Sequence, residues 1–145
     1  MWRSFEETPF LIAEDSDDDL LLLQRALRRG GVPNPQIATA SGEETIAYLE
    51  ETLARNGERP FPVILFLDLL MPGVGGIAVL EWLRTHPHPP ITIVLHTGTD
   101  DETLLQRARD LGANFFLPKG ARPDAIREVF RRARAEWEQH HLLVE

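Results

Sequence analysis

Val63-Ile64-Leu65-Phe66-Leu67-Asp68 decides how the chain folds. Five consecutive apolar residues leave no face for water, the pattern of a strand covered on both sides in a parallel sheet. Asp68 stops the run abruptly. Met71-Pro72-Gly73 and Gly76 then mark a loop, and Ile77 to Arg84 reads as a short helix with Val79, Leu80 and Leu83 inward.

The same strand, loop and helix recur on both sides. Upstream, Phe10-Leu11-Ile12-Ala13 is apolar and ends in Glu14-Asp15, and helical character from Leu20 to Leu27 stops at Gly30-Gly31. Gln36 to Ala40 reads as a strand. Ser41-Gly42-Glu43-Glu44 is a capping box that opens a helix to Leu53. Downstream, Ile91 to Leu95 is a second buried strand. Thr99-Asp100-Asp101-Glu102 reads as a second capping box, whose helix ends at Gly112. Asn114 to Leu117 is a fifth strand, and Pro123 suits the first position of a last helix running to about Gln139. Five β–α units predict an α/β fold: a doubly wound, five-stranded parallel sheet with helices on both faces. They are too few for a closed eight-stranded barrel.

Composition narrows the function. The 145 residues suit one domain, with a core over about 9–139 and short extensions at 1–8 and 140–145. There is no cysteine, so disulfides, thiolate metal sites and a cysteine nucleophile are excluded. No apolar run is long enough for a membrane span, and Met1 to Pro9 lacks the apolar block of a signal peptide. The expected address is the cytoplasm. A net charge of −8 argues against nucleic acid or a membrane as partner. Of the 15 basic residues only Lys119 is a lysine.

In a sheet of this kind, ligands bind beyond the carboxyl ends of the strands. Glu14 and Asp15 follow strand one, Asp68 strand three, His96 and Thr97 strand four, and Lys119 strand five. Topology alone gathers three carboxylates, a hydroxyl and an ammonium at one edge. Carboxylates without a soft ligand suit a hard cation, and Mg²⁺ best. A hydroxyl and a lysine beside such a cation make a clamp for a phosphoryl group. Asp68 is the central acid and the candidate nucleophile. Asp17, Asp18 and Asp19 read as first-turn helix acids that suit the dipole. His96 reads as a core or rim histidine.

These residues, with Met71-Pro72-Gly73, Gly76 and Leu111-Gly112-Ala113, resemble the receiver domains of two-component response regulators over about Phe10 to Gln139. The segment between strands two and three, and the lack of an output domain, are similar to the single-domain receivers that serve phytochrome-type histidine kinases. The resemblance implies the flavodoxin-like (β/α)5 fold. It implies Asp68 as acceptor of a phosphoryl group from a kinase phosphohistidine. Asp15 and Asp68 would bind Mg²⁺ directly, Glu14 through water, and the Leu70 backbone carbonyl would be a third protein ligand. Thr97 and Lys119 would hold phosphoryl oxygens. Thr97 and Phe116 would be the switch residues around strands four and five. A downstream protein or phosphotransfer partner would read the state.

Two positions depart from that family. Leu70 stands where many relatives carry a polar side chain. Gly120 stands where a proline joined by a cis bond is usual. A cis bond to a non-proline residue costs about 2.5–4 kcal/mol, so the Lys119–Gly120 bond is either trans or strained.

Rival readings are a Mg²⁺-dependent phosphohydrolase with an aspartyl nucleophile, a nucleotide or flavin binder, and a degenerate receiver that only docks. Leu70 replaces the second acid such hydrolases place two residues on. The acidic, glycine-free turn after strand one would repel a phosphate. The chain is not expected to turn over a separate substrate. A homodimer through helix four, strand five and helix five is expected. The family suggests it, and Ile126, Val129, Phe130, Ala133 and Trp137 form a stripe longer than the sheet should cover. Leu142-Leu143-Val144 would extend it, and Arg131, Arg132 and Arg134 could pair with Glu128, Glu136 and Glu138 across a two-fold axis.

Overall fold

Five parallel strands run in the order β2-β1-β3-β4-β5 in a computed structural model, which describes residues 4–120 and 122–144, with side chains as far as residue 140. The strands are β1 (Phe10–Ala13), β2 (Gln36–Thr39), β3 (Ile64–Leu67), β4 (Thr92–Thr97) and β5 (Phe115–Pro118). The helices are α1 (Asp17–Arg29), α2 (Gly42–Ala54), α3 (Gly76–Thr85), α4 (Glu102–Asp110) and α5 (Pro123–Val144). This is the doubly wound, flavodoxin-like arrangement.

Strand alternation divides the core. Phe10, Ile12, Phe66, Val94 and Leu117 pack with Leu23 and Leu27 of α1 and Ile126, Val129 and Ala133 of α5. Leu11, Leu65, Leu67, Ile93 and Leu95 pack with Leu49 of α2, Val79 and Leu80 of α3 and Leu105 of α4. Phe66 is 2% exposed, so truncation to Ala would cost about 3–5 kcal/mol.

Helix ends follow local chemistry. The Ser41 hydroxyl accepts from the Glu44 amide at 3.1 Å, and the Glu44 carboxylate returns to the Ala40 amide. The second box forms differently: α4 begins at Glu102, with Asp101 as its cap. The Asp101 carboxylate accepts from both the Thr103 and Leu104 amides, at 3.0 and 3.2 Å, two donors where the Thr99 hydroxyl would satisfy one.

Helix α5 continues past Gln139 to Val144. Trp137 packs against a 3-10 turn at Phe5–Glu7, with the Phe5 ring centroid 5.7 Å from that of Trp137 and 5.3 Å from that of Phe130. Asn34 holds this turn by donating to the carbonyls of Phe5 and Thr8 at 2.6 and 2.8 Å. Glu6 pairs with Arg134. On α5 itself, Glu128 pairs with Arg131 and Arg132, and Arg134 with Glu138. These charges pair within the chain at half-exposed positions. The side chains of Leu142, Leu143 and Val144 lie outside the described residues. Among the described residues no helix is long and apolar enough to cross a membrane.

Candidate functional site

Parallel register assembles the site. Ala13 pairs with Leu67, Leu67 with Leu95, and Thr97 with Pro118. One residue beyond these pairs the chain places Glu14, Asp68 and Lys119 at the same sheet edge. Gly76 lets α3 start tight beneath the loop, since a Cβ there would lie 2.6 Å from the Asp68 carbonyl oxygen.

Asp68 is 2% exposed and fully engaged. Its Oδ1 accepts from the Thr97 hydroxyl at 2.9 Å and from the Leu70 amide at 3.0 Å. Its Oδ2 lies 2.8 Å from Lys119 Nζ. Glu14, 3% exposed, accepts from the Ser16 amide through Oε2 at 3.2 Å. Its Oε1 lies 3.1 Å from Lys119 Nζ but off the line of a hydrogen bond, a buried acceptor left without a donor. Asp15 is exposed at the rim. Ligand atoms of Glu14, Asp15 and Asp68 lie within 4.8 Å of one another.

Three carboxylates so close, one with an unmatched buried oxygen, fit a hard divalent cation. Burial pushes the Glu14 carboxyl up to about 7, against the pull of the Ser16 amide and Lys119. Burial also works against the Lys119 ammonium, but its bonds to Asp19, Asp68 and Glu14 outweigh that and hold it above its ordinary value. Burial, then the nearby Lys119 charge, lowers His96. His96 is 5% exposed and points toward α1 and α5, with Nδ1 3.9 Å from Glu14 Oε1.

The residues singled out in the sequence thus fall into two groups. Glu14, Asp15, Asp68, Thr97 and Lys119 converge. Phe116 stands apart on the edge strand, 39% exposed, and the Leu70 side chain is 55% exposed at the mouth. The Lys119–Gly120 bond is trans, as no cis peptide occurs among the described residues, and Gly120 takes φ +81°. A left-handed glycine replaces the proline turn, and Lys119 still reaches Asp68. Asp19, a first-turn acid of α1, joins the converging group. Its carboxylate lies 2.7 Å from Lys119 Nζ, and that bond holds its own carboxyl below the usual range. The position of Asp19 alone does not single it out, since Asp17, Asp18 and Asp19 are consecutive first-turn acids of α1 and Asp15 precedes the helix.

A doubly wound sheet with an acid triad, a hydroxyl and a lysine at its carboxyl edge defines a receiver-type site. Residues 10–131 match the family model of the response regulator receiver domain, and the chain belongs to that family. It is 33% identical over 116 residues to the probable chemotaxis protein CheY of Rhizobium etli, covering 79% of this chain and 82% of that one. It is 34% identical over 80 residues to the transcriptional regulatory protein HprR of Escherichia coli, covering 55% of this chain and 34% of HprR. The chain therefore spans about a third of HprR's length. Among solved structures, the bacteriophytochrome response regulator AtBRR superposes with a TM-score of 0.71 at 28% identity, covering 86% of this chain and 91% of that one.

Proposed function

We propose that this receiver domain is a phospho-accepting switch in a two-component relay, with Asp68 as acceptor. The observation that carries this is Asp68 itself: a nearly inaccessible carboxylate held on one oxygen by Thr97 and Leu70 and facing Lys119 on the other.

An Asp68 carboxylate oxygen attacks the phosphorus of a kinase phosphohistidine. The P–N bond breaks and its electron pair stays on the imidazole nitrogen, so the phosphoryl group moves without a change of oxidation state. Thr97 then donates to one phosphoryl oxygen and Lys119 pairs with another, stabilising charge where it gathers. Glu14, Asp15, Asp68 and the Leu70 carbonyl would hold Mg²⁺, with Glu14 acting through water. Bound there, the ion neutralises charge on the entering phosphoryl oxygens. Asp68 is consumed and regenerated, and no separate substrate is turned over. Because Thr97 ends β4, drawing it to the phosphoryl group biases β4 and β5. Phe116, exposed on the neighbouring strand, is the side chain placed to turn inward.

The likeness to a bacteriophytochrome response regulator supports a phytochrome-type histidine kinase as donor. A cytoplasmic address and a downstream protein or phosphotransfer partner follow from the same reading. The exposed aromatic edge at Phe116 supports a homodimer through α4, β5 and α5. The deciding experiment is intact-mass spectrometry after incubation with acetyl phosphate and Mg²⁺. A gain of one phosphoryl group supports the proposal, and an unchanged mass refutes it.

A further inference from the structure

Lys119 Nζ has three protons to donate and three carboxylates around it: Glu14 at 3.2 Å, Asp19 at 2.7 Å and Asp68 at 2.8 Å. Two of these acids, Glu14 and Asp68, also belong to the cluster that fits a divalent cation. A cation bound there competes with the ammonium for the same oxygens and repels it. Asp19 alone of the three lies outside that cluster. Lys119 is tied at its backbone to the Thr97 carbonyl at 3.4 Å, and Gly120 after it takes φ +81°.

The start of α1 leaves Asp19 free for this task. It occupies the third helical position, where an acid commonly bonds back to the amide of the cap residue. Here Glu14 already takes the Ser16 amide, and the Ser16 hydroxyl accepts from the Asp19 amide at 3.3 Å. The Asp19 backbone is thereby fixed while its carboxylate turns to Lys119.

We propose that Asp19 is a positioning residue, which anchors Lys119 from α1 so that the ammonium stays over Asp68 when a divalent cation occupies the acidic cluster. The division of labour is explicit: Asp19 holds the lysine, while Glu14, Asp15 and Asp68 serve the cation. This inference rests on the phosphoacceptor reading of the site.

Lys119 is the only lysine in the chain, so the full chain labelled with ¹⁵N-lysine gives one ammonium NMR signal. That signal is expected in the parent and should survive saturating Mg²⁺. In Asp19→Asn it should broaden away once Mg²⁺ is added, as the released ammonium exchanges with water. Asp18→Asn removes the same charge from the same helix turn without touching Lys119 and should behave as the parent. Phosphorylation by acetyl phosphate should slow about tenfold in Asp19→Asn, with no further slowing when the substitution is added to Lys119→Met. The proposal is overturned if the parent signal is absent or vanishes with Mg²⁺, or if Asp19→Asn keeps it. It is also overturned if Asp18→Asn loses the signal equally, or if the two substitutions slow phosphorylation additively. The lysine signal needs no phosphodonor, so a parent that forms no phospho-adduct refutes the phosphoacceptor reading alone.

Discussion

Thr97 donates a buried 2.9 Å hydrogen bond to Asp68, joining the end of β4 to the end of β3 across neighbouring strands. The bond makes the position of Thr97 depend on what Asp68 carries. A phosphoryl oxygen would present its acceptor farther out than the Asp68 oxygen does now. Thr97 can follow it only by moving the backbone that leads into α4. Thr97 thus ties Asp68 to the end of β4, as Lys119, 2.8 Å from the other Asp68 oxygen, ties it to the end of β5.

Mg²⁺ binding should depend on Asp15. It is the exposed member of the acidic cluster, so its removal takes away a ligand and a charge while leaving the core intact. Backbone NMR titration should show Mg²⁺ affinity weaker by on the order of tenfold in Asp15→Ala. Equal affinity in the two proteins would exclude Asp15 as a ligand.

Mg²⁺ affinity should also rise with pH through the neutral range. Burial raises the Glu14 carboxyl to about 7, and its proton must leave before the site carries its full charge. Affinity should fall by about tenfold for each pH unit below that value and level off above it. Glu14→Gln should flatten the profile. The metal-free fold runs the other way. A raised carboxyl contributes stability that is fully present below its unfolded value of 4.5 and is lost as pH rises through about 7. A titration profile unchanged by Glu14→Gln would exclude Glu14 as the group responsible.

Loss of the phosphoryl group by hydrolysis should be slow. Leu70 is exposed beside Asp68 and cannot orient an attacking water. Leu70→Asn or Leu70→Glu should hasten dephosphorylation by on the order of tenfold, measured as decay of the adduct mass. Unchanged decay in both variants would remove Leu70 from the explanation.

Light scattering at micromolar concentrations should give twice the chain mass, and Phe116→Ser should move it toward monomer. The exposed phenylalanine on an edge strand is the reason to expect this. A monomer at every concentration, with and without phosphorylation, would contradict the dimer.

Most of the fold was legible because β1 and β3 are apolar at every position and β4 is apolar through Ile93, Val94 and Leu95, and a doubly covered sheet hides such strands. The convergence of Glu14, Asp15, Asp68, Thr97 and Lys119 followed from topology, since each ends or follows a strand. Other features depended on competition between local groups. The start of α4 turned on Asp101 satisfying two amides where Thr99 could satisfy one. Trp137 packs on Phe5, which comes from the opposite end of the chain, a contact that helical spacing does not reveal. Asp19 was hidden among three consecutive aspartates that the helix dipole already explains. Its ion pair with Lys119 spans 100 residues of sequence. His96 points to α1 and α5 because β4 alternates, which the apolar run preceding it could not reveal.

The most direct measurement is intact-mass spectrometry of the parent and of Asp68→Asn after exposure to acetyl phosphate and Mg²⁺, with circular dichroism to show that both are folded. The parent should gain one phosphoryl group and Asp68→Asn none. An adduct that persists on folded Asp68→Asn, or a parent that gains nothing, would contradict Asp68 as the phosphoacceptor.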